Sequence, residues 1–288
     1  MSEGYEALRQ GAAWLDLSAR GRIVARGRDR ARFLHNLTSN EVKKMAPGSG
    51  CYAFLLNPQG RIQSDLYLFC FEDHFLIDTE PDFREKVQQH ILKYKVADQV
   101  ELENVTAGTA AIGLEGPNAA AVLMATNAPV PGSGFAHLPW GVMTVAAVSL
   151  TGQPGFRIYC SAEERAGAIG LLESAGAQPA DADDARMVRM ENGKPLFGED
   201  IRETSLPQET QQMHALSFSK GCYLGQEIVE RIRAMGRVHR KLERLELDGA
   251  EPVAPGTKLT VEGREAEITS SIYSPHLGKV IALAYVRV

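Results

Sequence analysis

Residues 220–227 read Lys-Gly-Cys-Tyr-Leu-Gly-Gln-Glu, and this octet contains the one cysteine of the chain whose neighbours suit reactivity. Cys222 stands between Gly221 and Gly225, two residues after Lys220 and just before a stretch that patterns as a helix. A nearby ammonium and a helix N-terminus both favour thiolate over thiol. The competing reading is a cysteine packed in a turn that its glycines simply permit. No histidine lies within the octet, so a protease-like Cys/His pair is not supported.

Asp65 is the second candidate. It is the one carboxylate on its strand, where it could accept a hydrogen bond from a heterocycle nitrogen or hold a proton for it. Periodicity fits a half-exposed polar residue on a sheet edge equally well. The third candidate is Arg189, at helical spacing from Arg186 and Gly193 in a segment that then turns loop-like. An arginine at a helix end beside a cleft suits bidentate carboxylate binding, whereas spacing alone favours a surface ion pair.

These groups need elements to hold them. Cys51–Leu56, the turn Asn57-Pro58-Gln59-Gly60 and Arg61–Phe71 read as a β-hairpin, with Pro58 and Gly60 at type I turn positions. On the second strand, alternation puts Ile62, Leu66, Leu68 and Cys70 on one face and Gln63, Asp65, Tyr67 and Phe69 on the other. The latter face, part polar and part aromatic, suits a ligand wall. Pro81–Val96 reads as a helix. From Thr109 the order is strand, helix, strand (Val142–Leu150), strand (Phe156–Cys160), then a helix opened by the capping box Ser161-x-x-Glu164.

Gly225–Gly236 carries the apolar stripe Ile228, Val229, Ile232 and Met235, with Glu227–Arg231 as an i,i+4 pair. Residues 220–241 hold six Lys/Arg and two Glu (6 − 2 = +4), a local reversal that suits an anionic ligand or an acidic partner. After residue 237 short strands punctuated by Gly249, Gly256, Gly263 and Gly278 predict a small antiparallel barrel or sandwich. The fold class expected is α+β with ferredoxin-like units. Two lobes are expected over roughly 1–105 and 106–205, with interleaving allowed. The octet segment follows to 237, and a C-terminal barrel covers 238–288.

Composition bounds the rest. The chain has 288 residues, is 44% hydrophobic and carries a net charge of −5. It can bury a sizeable core, and it has no global positive field to attract nucleic acid. No apolar run is long enough to cross a bilayer, and the start has no basic-then-apolar pattern, so a cytoplasmic protein is expected. The four cysteines lack both C-x-x-C pairing and zinc-ligand spacing.

The octet, preceded by Leu206-Pro207-Gln208-Glu209, resembles the signature of the folate-binding YgfZ family, relatives of the glycine-cleavage T-protein (aminomethyltransferase). Asp16-Leu-Ser, Gly60-Arg-Ile-x-x-Asp65, Gly113-x-x-Gly116-Pro117 and Arg189-x-Glu191-x-Gly193 look like superfamily landmarks in the right order. The resemblance spans nearly the whole chain and implies a T-protein-like ring of three domains around tetrahydrofolate or another reduced folate. It implies a role in assembling or repairing iron–sulfur clusters of client proteins, including tRNA-thiolating enzymes. Cys222 would be the essential thiol, with Lys220 and Asp65 as the other catalytic candidates. Asp65, Tyr67, Arg189, Gly221, Tyr223, Gln226 and Glu227 would hold the folate. The chain would act as a monomer without direct nucleic-acid or membrane contact. A folate-dependent aminomethyl transferase is the alternative. Two departures stand out: Ser64 precedes Asp65 where an acidic pair is the pattern, and Gly152-Gln-Pro-Gly155-Phe156-Arg157 ends in a cation where a glutamate grips the pterin.

Overall fold

The computed structural model describes residues 1–132 and 134–288. Three sheets organise them. The first has five strands in the order Gly50–Leu56, Ile62–Cys70, His74–Thr79, Gly21–Arg26 and Glu101–Asn104, every pair antiparallel. The second has six, in the order Gln178–Pro179, Ala13–Asp16, Thr109–Glu115, Gly155–Ser161, Met143–Ala146 and His137–Trp140. Ala13–Asp16 lies inside the second sheet, so the chain crosses to the first sheet within its opening residues. Four antiparallel strands, Arg240–Leu247, Lys279–Arg287, Arg264–Ser274 and Lys258–Val261, close the chain as a half-barrel. The architecture is mixed α+β, as the alternation of patterns predicts.

Helices cover one face of each large sheet. Phe33, Leu34 and Leu37 of Arg30–Leu37, with Val87 and Ile91 of Arg84–Lys93, pack on Leu66, Leu68 and Ile77 of the first. Ala119–Ala125 and Arg165–Ser174 do the same on the second. Each such leucine or isoleucine, fully buried, contributes about 1.5–3 kcal/mol. The Ser161/Glu164 capping box forms: the Ser161 N–H donates to the Glu164 carboxylate at 3.0 Å, and the Glu164 N–H to the Ser161 hydroxyl at 3.2 Å. The uncovered faces, carrying Tyr52, Phe54, Tyr67, Phe69 and Tyr159, meet in a central core that Leu242, Leu283 and Tyr285 of the half-barrel complete.

Two expectations change. Ile62 does not share a face with Leu66 and Leu68; a bulge opposite Leu55–Leu56 inserts one residue and reverses the alternation, so Ile62 packs into the central core. The strand expected over Val142–Leu150 ends at Ala146, because Ala147–Leu150 leaves the sheet to wall a cavity.

The octet is seated on the hairpin by two glycines. Gly225 (φ 79°) starts the helix Gln226–Met235, and a Cβ there would lie 2.5 Å from the Asn57 carbonyl oxygen. Gly60 (φ 70°) closes the hairpin turn, and a Cβ there would lie 2.6 Å from the Ile228 side chain. Both positions need glycine for conformation and for close approach. The Glu227–Arg231 pair is absent from this helix; the ion pair formed is Arg233–Glu230 at 3.4 Å.

Candidate functional site

Strand Ile62–Cys70 presents Asp65 and Tyr67 to a hollow of about 390 Å³. Glu80, just beyond His74–Thr79, and Tyr52 from the neighbouring strand complete that side. The remaining walls are Gly134–Phe135, the strip 147–150, the strip 193–196, and Gln212 with His214. Aromatic rings from Tyr52, Tyr67, Phe135 and His214 face the hollow. Tyr52 stacks on His214 at 5.2 Å, and the Phe135 ring lies 15° from parallel to His214 at 6.3 Å. Phe135 holds φ at 64°, a strained value for a bulky residue, pinned by its N–H to the Ala147 carbonyl.

Asp65 is 5% exposed. Its Oδ2 accepts from the Tyr52 hydroxyl at 2.9 Å, while Oδ1 is buried without a partner among the described residues. Burial, and secondarily the Glu80 carboxylate, push this carboxyl up to about 7. A hydrogen-bond acceptor left bare in an aromatic hollow is a group waiting for a donor.

Beneath Tyr67 lies a buried charge node. Asp78, fully buried, accepts from Arg20 Nε at 2.7 Å, Arg157 Nη1 at 2.9 Å and the Tyr159 hydroxyl at 2.7 Å. Burial opposes its charge, yet Arg157 and Arg20 together hold it below the usual carboxylate range. The Arg157 guanidinium lies 4.9 Å from the centre of the Tyr67 ring. Arg157 therefore serves under the floor. Ser64 likewise bears on the opposite face, within hydrogen-bond distance of Thr79 Oγ1 at 3.1 Å. Consecutive strand residues point oppositely, so the second carboxylate of the hollow comes from Glu80, far along the chain.

Cys222 lies elsewhere. It is exposed and lines a different depression of about 360 Å³, with Arg32, His35, Lys43 and Lys44. The folate-holding set expected from the resemblance is thus not brought together, since Asp65 and Tyr67 line one cavity and Gly221 lies beside Cys222 in the other. Nor does Lys220 serve the thiol: its buried ammonium donates to the carbonyls of His35, Thr38 and Asn40 at 2.6–2.7 Å. These close the C-terminal end of helix Arg30–Leu37, where a cation is favoured. Replacing Lys220 by methionine should therefore lower stability by about 2–3 kcal/mol, read as a shifted urea midpoint; an unchanged midpoint would refute the capping role.

None of the other octet residues lines the hollow. Tyr223 is buried against Lys220, its N–H donates to Gln226 Oε1 at 3.2 Å, and Glu227 and Gly221 are exposed outside the hollow. Arg189 is spent too. It pairs with Asp200 at 2.8 Å and with Glu199, and its Nη1 donates to the Lys194 carbonyl at 2.7 Å, which holds the 193–196 wall in place. It borders a second cavity of about 440 Å³ that shares Glu80, Leu150 and Leu196 with the hollow. Sequence reading missed Glu80, Phe135, Lys194 and His214; no local signal marks them.

Comparison with known proteins fits this layout. The sequence matches the GCVT N-terminal domain over residues 1–220 and the glycine cleavage T-protein C-terminal barrel domain over residues 240–288. The chain belongs to the glycine-cleavage T-protein family. An aminomethyltransferase of Rubrobacter xylanophilus is 30% identical over 98% of this chain and 78% of its own length. One from Thermus thermophilus is 29% identical, over 99% and 82%. The crystal structure of the glycine cleavage system aminomethyltransferase T from Bartonella henselae superposes with a TM-score of 0.88 at 22% identity, covering 99% of this chain and 81% of that one, and so shares the fold. The two T-protein matches leave residues 221–239 between them, the stretch that holds Cys222 and its helix. The hollow, by contrast, is built wholly from residues within the first match.

Proposed function

We propose that this T-protein relative binds a reduced folate in the Asp65 hollow and transfers a one-carbon unit there, in the manner of an aminomethyltransferase. The observation that carries the reading is the bare Asp65 Oδ1 inside an aromatic-walled hollow of about 390 Å³. A pterin is planar and rich in N–H donors, so it fits both the stacking faces and the unpaired acceptor. The folate would supply the nitrogens that carry the one-carbon unit, one in the pterin ring and one on the adjoining side chain. The chain supplies orientation and proton handling: Tyr52 fixes one carboxyl oxygen of Asp65, and a carboxyl titrating near 7 can hold or release a proton at neutral pH. Calorimetry with tetrahydrofolate, followed by an assay of methylene-tetrahydrofolate formation from an aminomethyl donor, tests this. A chain that binds no reduced folate would end the reading.

A second reading rests on Cys222. An exposed thiol in a depression also lined by Arg32, Glu41, Lys43 and Lys44, away from the hollow, suits contact with another protein rather than with the folate. As in the YgfZ branch that the octet resembles, the thiol would serve iron–sulfur client proteins, including tRNA-thiolating enzymes. A Cys222→Ala variant should cut cluster-dependent tRNA thiolation in cells several-fold while leaving folate binding intact. Normal thiolation with the variant would remove this reading and leave the first standing.

A further inference from the structure

Lys194 brings to the hollow an ammonium that has no carboxylate partner among the described residues. It follows the left-handed Gly193 (φ 66°) after helix Ala182–Glu191, and Arg189 pins its backbone at both ends. The Lys194 N–H donates to the Arg189 carbonyl at 3.0 Å, and its carbonyl accepts from Arg189 Nη1 at 2.7 Å. The side chain lines the same cavity as Asp65. Its ammonium donates to the Ser149 carbonyl, its one side-chain hydrogen bond among the described residues, which leaves donor capacity unused. No carboxylate among the described residues pairs with it, and Asp65 is equally without an ion pair. The hollow thus holds a spare donor and a spare acceptor that do not satisfy each other. Such groups are costly to bury unless a ligand engages both.

We propose that Lys194 is a specificity-determining residue that reads an oxygen on the ligand ring, while Asp65 reads the N–H groups beside it. The ligand class is then a reduced heterocycle whose ring C=O stands beside the N–H of the reacting ring nitrogen, as the 4-oxo group stands beside N5–H in a tetrahydropterin. Replacing that oxygen by an amino group sets donor against donor at Lys194. A site built around a hydrogen bond rejects an analogue that cannot make it far more strongly than an apolar pocket rejects a change of size. Burial lowers the amine to about 8, with Glu115 and, less, Asp65 opposing and Arg157 and Arg20 reinforcing the shift, so the ammonium still predominates at pH 7.

This inference rests on the hollow being the folate site. Its test is calorimetry at pH 7 with tetrahydrofolate and with the 4-amino analogue of the same reduced pterin, on the wild-type chain, Lys194→Met and Lys194→Arg. The wild type should prefer the 4-oxo ligand by about 10²-fold. Lys194→Met should bind the 4-oxo ligand at least tenfold more weakly and the 4-amino ligand no more weakly than wild type does, while Lys194→Arg keeps most of the preference. Unchanged 4-oxo affinity in Lys194→Met, or equal loss of both ligands, overturns the proposal while the folate site stands. A wild type that binds neither ligand overturns the folate reading itself.

Discussion

Replacing Asp65 by asparagine should abolish transfer and, in the same molecule, stabilise the ligand-free protein above neutral pH. The loss of activity follows from removing the carboxyl that Tyr52 orients into the hollow, an effect of about 10²–10⁴-fold. The gain in stability follows from where the carboxyl titrates. Its ordinary value is 3.8, and burial together with Glu80 raises it to about 7 in the folded chain. Between those pH values the folded state keeps a proton that the unfolded state has released. Stability therefore falls as pH climbs through that interval and levels off above about 7. Asparagine carries no such penalty. The variant should be more stable by on the order of 2–4 kcal/mol at pH 8, with the difference shrinking toward zero near pH 4. Urea denaturation at pH 4.5 and pH 8 reads both limits. A variant that is less stable at pH 8, or a gap that widens on acidification, contradicts the assignment.

Asp78→Asn should do the reverse and damage the fold. Asp78 is the shared anion for Arg20 and Arg157, both buried, and Arg20 alone has a second carboxylate, Glu80. Neutralising Asp78 strands the Arg157 charge, and breaking a buried pair from one side costs about 3–5 kcal/mol. That is a large share of the roughly 5–15 kcal/mol that holds a typical domain folded. The same change loosens the support under Tyr67, so folate affinity should fall with it. Adding Arg157→Met to Asp78→Asn removes the stranded charge and should restore part of the urea midpoint. Equal midpoints for wild type and Asp78→Asn would show that the node is not a stability element.

The sequence made the hairpin legible because turn chemistry and period-two alternation agree there. Pro58 and Gly60 mark the turn, and Asp65, Tyr67 and Phe69 emerge on the cavity side. The half-barrel strands and the Ser161/Glu164 box were legible for the same reason: local pattern and local geometry coincide. The bulge that moves Ile62 was not, since one inserted residue leaves no mark on composition. His137–Trp140 was hidden by Pro139, which reads as a strand breaker yet is tolerated on the sheet edge it occupies. The site itself was half visible. Asp65 and Tyr67 share a strand, but Glu80, Phe135, Lys194 and His214 reach them from four separate stretches, and periodicity carries no information about such meetings. Cys222 and Lys220 show the opposite failure. Nearness along the chain suggested a working pair, whereas the ammonium turns toward the end of helix Arg30–Leu37.

Tips of β-hairpins are ordinarily where a chain accepts an added residue. The tip at Asn57–Gly60 is different, because it is wedged against Gly225 and Ile228 with no room for a single methyl group on either side. Hairpin length and octet therefore form one transplantable module. A chimera that grafts the octet onto a relative with a longer tip should misseat it, and swapping both segments together is the construction that preserves the seam.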